Sequence, residues 1–329
     1  MPIRTVTTLA TVTAAVTVGV LAVAPAANAG LVTHCIGTGG AVTVPNDLYV
    51  PAGESCALTG TTVTGNVSVA AGGNLVITGG HLAGEIKVAG DSYLDASNTV
   101  IGGPVVLAAG GYGVFLKDAQ SGAVTVKPKG TSTVDSFLFV EGTTIGGNVT
   151  AGAGEVRLDR TTEVEGNVNT TGTYYTDVHD SFVDGTLSVL NSATGSVVCG
   201  SSVRGRATFA GNLGGVQLGP NGSLDGCASG GFWGRDVSVT STTGGVTVDD
   251  NIIDGKLTAT GNTPVAQIAA NNRIRGGVVG DPPAAAAAAR SARAATGAVE
   301  GRDDAGDQRA TARRSSAVQE ATAAGAADL

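Results

Sequence analysis

Val63-Thr64-Gly65-Asn66-Val67-Ser68-Val69 returns nineteen residues later as Leu82-Ala83-Gly84-Glu85-Ile86-Lys87-Val88, and nineteen later again as Ile101-Gly102-Gly103-Pro104-Val105. The frame is an aliphatic residue, a polar or glycine position, glycine, a variable residue and a second aliphatic. It recurs around Gly147, Gly166, Gly185, Gly205, Gly255 and Gly276, with weaker copies at Gly122 and Gly234. The ten steps from Gly65 to Gly276 average about 21 residues, the period of a solenoid. Each copy runs on into an alternating strand such as Leu187-Ser188-Val189. A second strand follows about ten residues after the glycine, as in Leu75-Val76-Ile77, Val114-Phe115-Leu116 and Val156-Arg157-Leu158.

Alternation with period two sends Val, Ile and Leu inward and Thr, Ser, Asn and Asp outward, and equivalent residues stack about 4.8 Å apart along the axis. A corner needs either positive φ or close backbone approach, and both favour glycine. One coil cannot bury its own apolar face, so stability accrues between neighbours and the ends need caps. The expected fold is therefore all-β: a single-domain parallel β-helix of about eleven coils over residues 61–280. Stacking alone is satisfied by either hand.

Outward from this core, residues 30–60 hold Pro45, Pro51, Cys35 and Cys56 and are expected to cap the first coil. Residues 1–29 read as a signal peptide: Arg4, an uncharged apolar and threonine-bearing stretch, then the small-x-small pattern Ala27-Asn28-Ala29. With that segment cleaved, no membrane span is expected and the chain is secreted, extracellular or wall-associated. The 29-residue step before Gly234 runs from Gly219-Pro220-Asn221-Gly222 through Cys227 to Trp233, the one tryptophan, and is read as a loop between coils. Residues 281–329 contain 19 alanines, mixed Arg and Asp, and only Val299, Val318 and Leu329 as larger aliphatics. So little apolar area does not offset ordering entropy, and a disordered tail is expected.

Four cysteines in an exported chain, none spaced as CxxC, imply disulfides rather than zinc or redox sites. Proximity suggests Cys35 with Cys56 and Cys199 with Cys227, although three connectivities are open. The net charge of −8 disfavours a phosphate backbone as partner. Glycine numbers 52, aromatics make up 4% and charged residues 14%, far from an ordinary enzyme mixture.

Parallel β-helices host polysaccharide lyases and hydrolases, so the acids must be checked against the coil. Asn98, Asp180, Asp250 and Asn271 all fall five residues before a motif glycine, a turn corner where Asx side chains cap their own backbone. Asp180 and Asp250 lie about 14 Å apart along the axis by strand spacing, too far to act as a hydrolytic pair. Asp249 and Asp250 point to opposite faces if both lie in a strand. The best acid–base group is Asp177, His179 and Asp180, near Arg157, Asp159 and Arg160 of the preceding coil. His34 and His81 stand alone and no His/Asp set has metal-ligand convergence, so no metal or cofactor is expected. Thr61, Thr62, Thr143, Thr144, Thr161 and Thr162 read as outward pairs near corners rather than a lattice on one face. Tyr174, Tyr175, Phe182, Phe232 and Trp233 are the main aromatics available for stacking.

The Val-x-Gly-Asn-Val copies at Val63 to Val67, Ile145 to Val149 and Val164 to Val168 resemble two groups. Bactofilins are cytoskeletal right-handed parallel β-helices that polymerise end to end. The closer likeness, over about residues 35–280, is to secreted actinobacterial β-helix repeat proteins of uncharacterised function. Val50-Pro51-Ala52-Gly53-Glu54-Ser55-Cys56-Ala57-Leu58-Thr59-Gly60 looks typical of them. The expected role is that of an exported, non-enzymatic structural or surface-binding element of the cell envelope or extracellular matrix, with the outward Thr, Ser, Asn and Asp faces as contact surface and a cell-wall or extracellular polysaccharide or protein as partner. The alternatives are a pectate-lyase-like carbohydrate-active enzyme and a bactofilin-like polymer.

Overall fold

The computed structural model describes residues 31–280 and 292–329, with side chains of the C-terminal helix from residue 305 onward. The signal-peptide expectation for residues 1–29 lies outside the described residues. From Val32 to Gly280 the chain winds as a parallel β-solenoid of about twelve turns, one more than the motif count, closed by three stacked sheets of 13, 12 and 12 strands. Each turn visits three faces in order. Val67–Val69 lies on the first, Asn74–Thr78 on the second and His81–Leu82 on the third, before Ile86–Val88 returns to the first.

Register is strict. Val67 pairs with Ile86 and Ile86 with Val105 on the first face, and Leu75 with Leu94 and Leu94 with Val114 on the second. The inward residues form one continuous core from Cys35 to Ile268. Inside two corners, polar side chains join successive coils. Ser201 Oγ accepts from Ser181 N, Asn251 Oδ1 from Gly231 N, Asn272 Oδ1 from Asn251 N, and Asn212 Oδ1 from Ser192 N. These groups sit where no sheet reaches the backbone, so burial is met by a partner one coil away.

The motif glycines are explained by close approach rather than positive φ. A Cβ on Gly205 would stand 2.2 Å from the Gly185 carbonyl oxygen, backbone against backbone. Positive φ sits five residues earlier, at Asn98, Asp180 and Asp250, the Asx corners.

Two expectations are corrected here. Residues 31–60 are not a separate cap: Val32–His34, Gly37–Gly39 and Thr43–Val44 are the first strands of the three sheets, in register with the next coil. The segment expected to be disordered contains α1 (Ala292–Ala324), 33 residues long, lying on the outer surface of the second face. Beyond α1, Gly325 turns with φ of 90° and the chain end pairs with the first coil. Thr38 N donates to Gly325 O and Ala327 N to Thr38 O, both at 2.8 Å, while Ala327 and Leu329 pack on the core. One open edge is thereby covered by the far end of the same chain. The tail carries little apolar area of its own. The sheet supplies it: Tyr93, Phe137 and Phe139 are buried side by side facing Ala310, with Tyr112 and Phe115 packed on them.

Candidate functional site

The second face is covered on its outer side twice, and both covers matter. Five-residue strands there read as buried on nearly every position, both inward and outward. The first cover is the 219–231 loop. Gln217, itself buried, holds it: its Oε1 accepts from Leu224 N and Asp225 N, at 2.9 and 3.0 Å, and its Nε2 donates to Asp225 O. Asn221 Nδ2 donates to Asp249 Oδ2 at 2.7 Å, and a disulfide ties Cys227 to Cys199 with Cα atoms 5.5 Å apart. The other disulfide joins Cys35 and Cys56, Cα atoms 5.6 Å apart, across the first two coils. Leu224 rests on Tyr175 and Val197. Trp233 is not in the loop. It lies in strand Phe232–Trp233, fully buried in the core, with its Nε1 donating to Asn251 Oδ1 at 2.8 Å.

Under this loop lies the acid–base group, altered from expectation. Asp177 and His179 project outward from strand Tyr175–His179. His179 Nε2 lies 3.1 Å from Asp177 Oδ1 and 2.5 Å from Asp225 Oδ2 of the loop. Burial works to lower the His179 imidazole, but hydrogen bonds and charge from Asp177 and Asp225 outweigh it and push it up to about 11. Burial raises the Asp177 carboxyl more than His179 lowers it. The two partners thus compete for one proton, and the 2.5 Å contact with Asp225 favours keeping it on His179. An imidazole held toward its charged form by two carboxylates is a poor proton carrier near neutral pH.

Asp180 is not part of the cluster; its φ of 43° marks it as a corner residue. Asp225 was missed because it sits 46 residues downstream of His179 in the loop. The sulfur of Cys199 also converges there: His179, Cys199 and Asp225 offer ligand atoms within 4.8 Å of one another. Nothing in the sequence spacing signals this proximity, in which the Cys199 sulfur is held in the disulfide.

The second cover is α1. Asp307 Oδ1 takes a 2.7 Å bond from Arg157 Nη1, and Arg309 Nη2 lies 3.2 Å from Glu155 Oε2. Arg313 Nε donates to Asn74 Oδ1 at 2.8 Å, and Arg314 pairs with Asp95. The guanidiniums of Arg157, Arg309 and Arg313 stand over Phe139, Phe137 and Tyr112 at 4.1, 5.5 and 4.7 Å. Arg157 is thus committed to the helix, while Arg160 turns to Glu141 at 3.1 Å and lies 3.9 Å from Asp159. Beside α1, Asp135, Ser136, Glu155, Tyr174 and Arg309 line a cleft of about 300 Å³.

Threonine expectations also change. Thr61, Thr143 and Thr162 are buried, and Thr61 Oγ1 donates to Gly40 O at 2.6 Å inside the corner. The outward array lies instead on the first face: Thr125, Thr150, Asn169, Ser188, Thr208, Ser238 and Thr258 pair successively in register. Seven coils thus present one uncharged hydroxyl or amide each, at about 4.8 Å spacing. The signal was the central residue of each Val-x-Val strand. On the third face Phe182, Phe232 and Ile252 stand exposed, with Ser202 between the two phenylalanines.

Among the described residues no helix is long and apolar enough to cross a membrane. No protein-family model matches the chain, and no curated protein or solved structure matches it either.

Proposed function

We propose that the protein is an exported, non-enzymatic β-solenoid that binds an envelope or matrix polymer, polysaccharide or protein, along its first face. The observation that carries this is the seven-coil ladder from Thr125 to Thr258. An uncharged row of hydroxyls and one amide at one coil spacing matches an extended polymer, which offers hydrogen-bonding groups at a regular repeat along a surface. The helix and loop close the second face, leaving the first as the longest regular surface. Two disulfides and the composition of residues 1–29 support export.

The pectate-lyase-like alternative loses ground because Asp177 and His179 lie beneath a fastened loop and Asp180 points elsewhere. The end-to-end polymer is disfavoured by the chain end covering the Gly37–Gly39 edge.

The test is retention of the whole chain on insoluble cell wall and a panel of polysaccharides, with reducing-end release measured in the same tubes. Retention without release, lost when Ser188→Lys and Thr208→Lys are combined, supports the reading. Sugar release abolished by Asp177→Asn overturns it in favour of an enzyme.

A further inference from the structure

The loop that closes over Asp177 and His179 is fastened by a covalent bond beside a cluster of metal-binding side chains. We propose that when Cys199–Cys227 is reduced, His179, Asp225, Cys199 and Cys227 bind one zinc ion that fastens the 219–231 loop in place of the disulfide.

Donor chemistry and geometry both argue for this. Two thiolates, an imidazole and a carboxylate are the ligand types of tetrahedral zinc. Ligand atoms of His179, Cys199 and Asp225 already fall within 4.8 Å of one another, and Cys227 is covalently held to Cys199. A zinc shell with bonds of about 2.0–2.3 Å has ligand–ligand edges of roughly 3.3–3.8 Å, so the His179–Asp225 contact must open by about 0.8 Å and the sulfurs must part. Asp225 and Cys227 ride on the loop, where such movement is local. His179 and Asp225 side chains keep 24% and 14% of their surface exposed, leaving an entry path.

A second observation is independent of the sulfurs. Asp177 is buried, and its Oδ1 lies 3.1 Å from His179 Nε2, the same atom that meets Asp225 Oδ2. A cation that replaces the proton on Nε2 keeps both carboxylates facing positive charge, with Asp177 positioned to accept from a bound water or to join the shell.

The redox step balances without a hidden partner. A dithiol reductant passes two electrons and two protons to the sulfur pair, giving two thiols as the reductant closes its own disulfide. Zinc then displaces both thiol protons and the imidazole proton, releasing three protons per ion.

The experiment uses the full chain carrying Cys35→Ser and Cys56→Ser, so that only the second pair remains. It is titrated with cobalt as the zinc surrogate after reduction by a trialkylphosphine, which offers no competing thiol. The expected result is one cobalt per chain with a thiolate-to-metal absorption band and tetrahedral ligand-field bands, displaced by zinc. Asp225→Asn and His179→Gln are each expected to weaken binding by about 100-fold. Hydrogen exchange in residues 219–231 of the reduced chain should slow on adding zinc. If the reduced chain shows no thiolate band, or if both variants bind cobalt as the parent does, the proposal is overturned. Trp233 fluorescence of each variant, compared with the oxidised parent, confirms that the coils remain folded.

Discussion

Arg314 and Asp95 are the most exacting test of how α1 is held. Asp95 has no solvent exposure, and its carboxylate meets Arg314, the Tyr93 hydroxyl at 2.8 Å and the Ser97 hydroxyl at 3.3 Å. Removing one partner of a buried pair costs about 3–5 kcal/mol, whereas replacing both is far milder. The Arg314 side chain is 35% exposed and two hydroxyls remain to Asp95, which puts Arg314→Met at the low end, about 3 kcal/mol at pH 7. Asp95→Asn with Arg314→Met should cost about 1 kcal/mol, so the double change is about 2 kcal/mol milder than Arg314→Met alone.

The sign with pH is fixed by the shift. Burial raises the Asp95 carboxyl above its ordinary value of 3.8, against lowering by Arg314, then Tyr93 and Ser97. The folded state therefore binds the extra proton, and stability falls as pH rises from the ordinary value through the raised one. Without Arg314 the carboxyl moves up further, so the Arg314→Met penalty is small near pH 4 and grows toward pH 7. Hydrogen exchange of α1 amides reads the opening free energy directly, without assuming that all coils unfold together. The reasoning fails if Arg314→Met costs no more than about 0.5 kcal/mol, as a surface change would, or if its cost does not vary with pH.

Three other outcomes follow from the fold. Asn251→Ala removes the bonds that Asn251 makes to Gly231 N, Trp233 Nε1, the Asp249 carbonyl and the Leu218 carbonyl, which keeps Asp249 N, and should lower stability by about 3 kcal/mol with a red-shifted emission from the single tryptophan; an unshifted spectrum would contradict it. Gly205→Ala drives a Cβ into the Gly185 carbonyl and should cost about 3 kcal/mol, against about 1 kcal/mol for Gly130→Ala, where φ is 61° but space is open; equal denaturant midpoints would refute the close-approach account. Truncation after Ala324 strips the paired chain end from Thr38 and uncovers an edge, and should appear in light scattering as concentration-dependent association that the whole chain lacks.

The core was legible because its rule is local: Val67, Ile86 and Val105 announce their stacking through spacing alone. The first coil was missed because Asn46 and Asp47 stand where later coils carry the glycine, although Asp47 Oδ1 still accepts from Asn66 N as Asn66 Oδ1 does from Glu85 N. Asp225 and α1 were illegible for a different reason: their contacts join segments separated by 46 to more than 200 residues, with no periodicity to carry the signal. A trace existed in Phe137-Leu138-Phe139-Val140, whose lack of alternation marks a strand buried on both faces. Counting the tail's apolar residues could not reveal that the aromatic partners lay elsewhere.

The helix lies across a periodic surface with a period of its own. Its turns advance about 5.4 Å and the coils about 4.8 Å, so each turn slips by about 0.6 Å against the strands beneath. From Gly306 through Ala310 and Ala317 to Ala321, all buried, the slip reaches about half a coil. A residue that sits over a strand at one end sits over a gap at the other. No repeated helical motif can mate with this repeated sheet as the two rulings drift out of phase, so every contact from Asp307 to Glu320 had to be selected singly. The least repetitive part of the sequence is thus the part that must read the most repetitive surface.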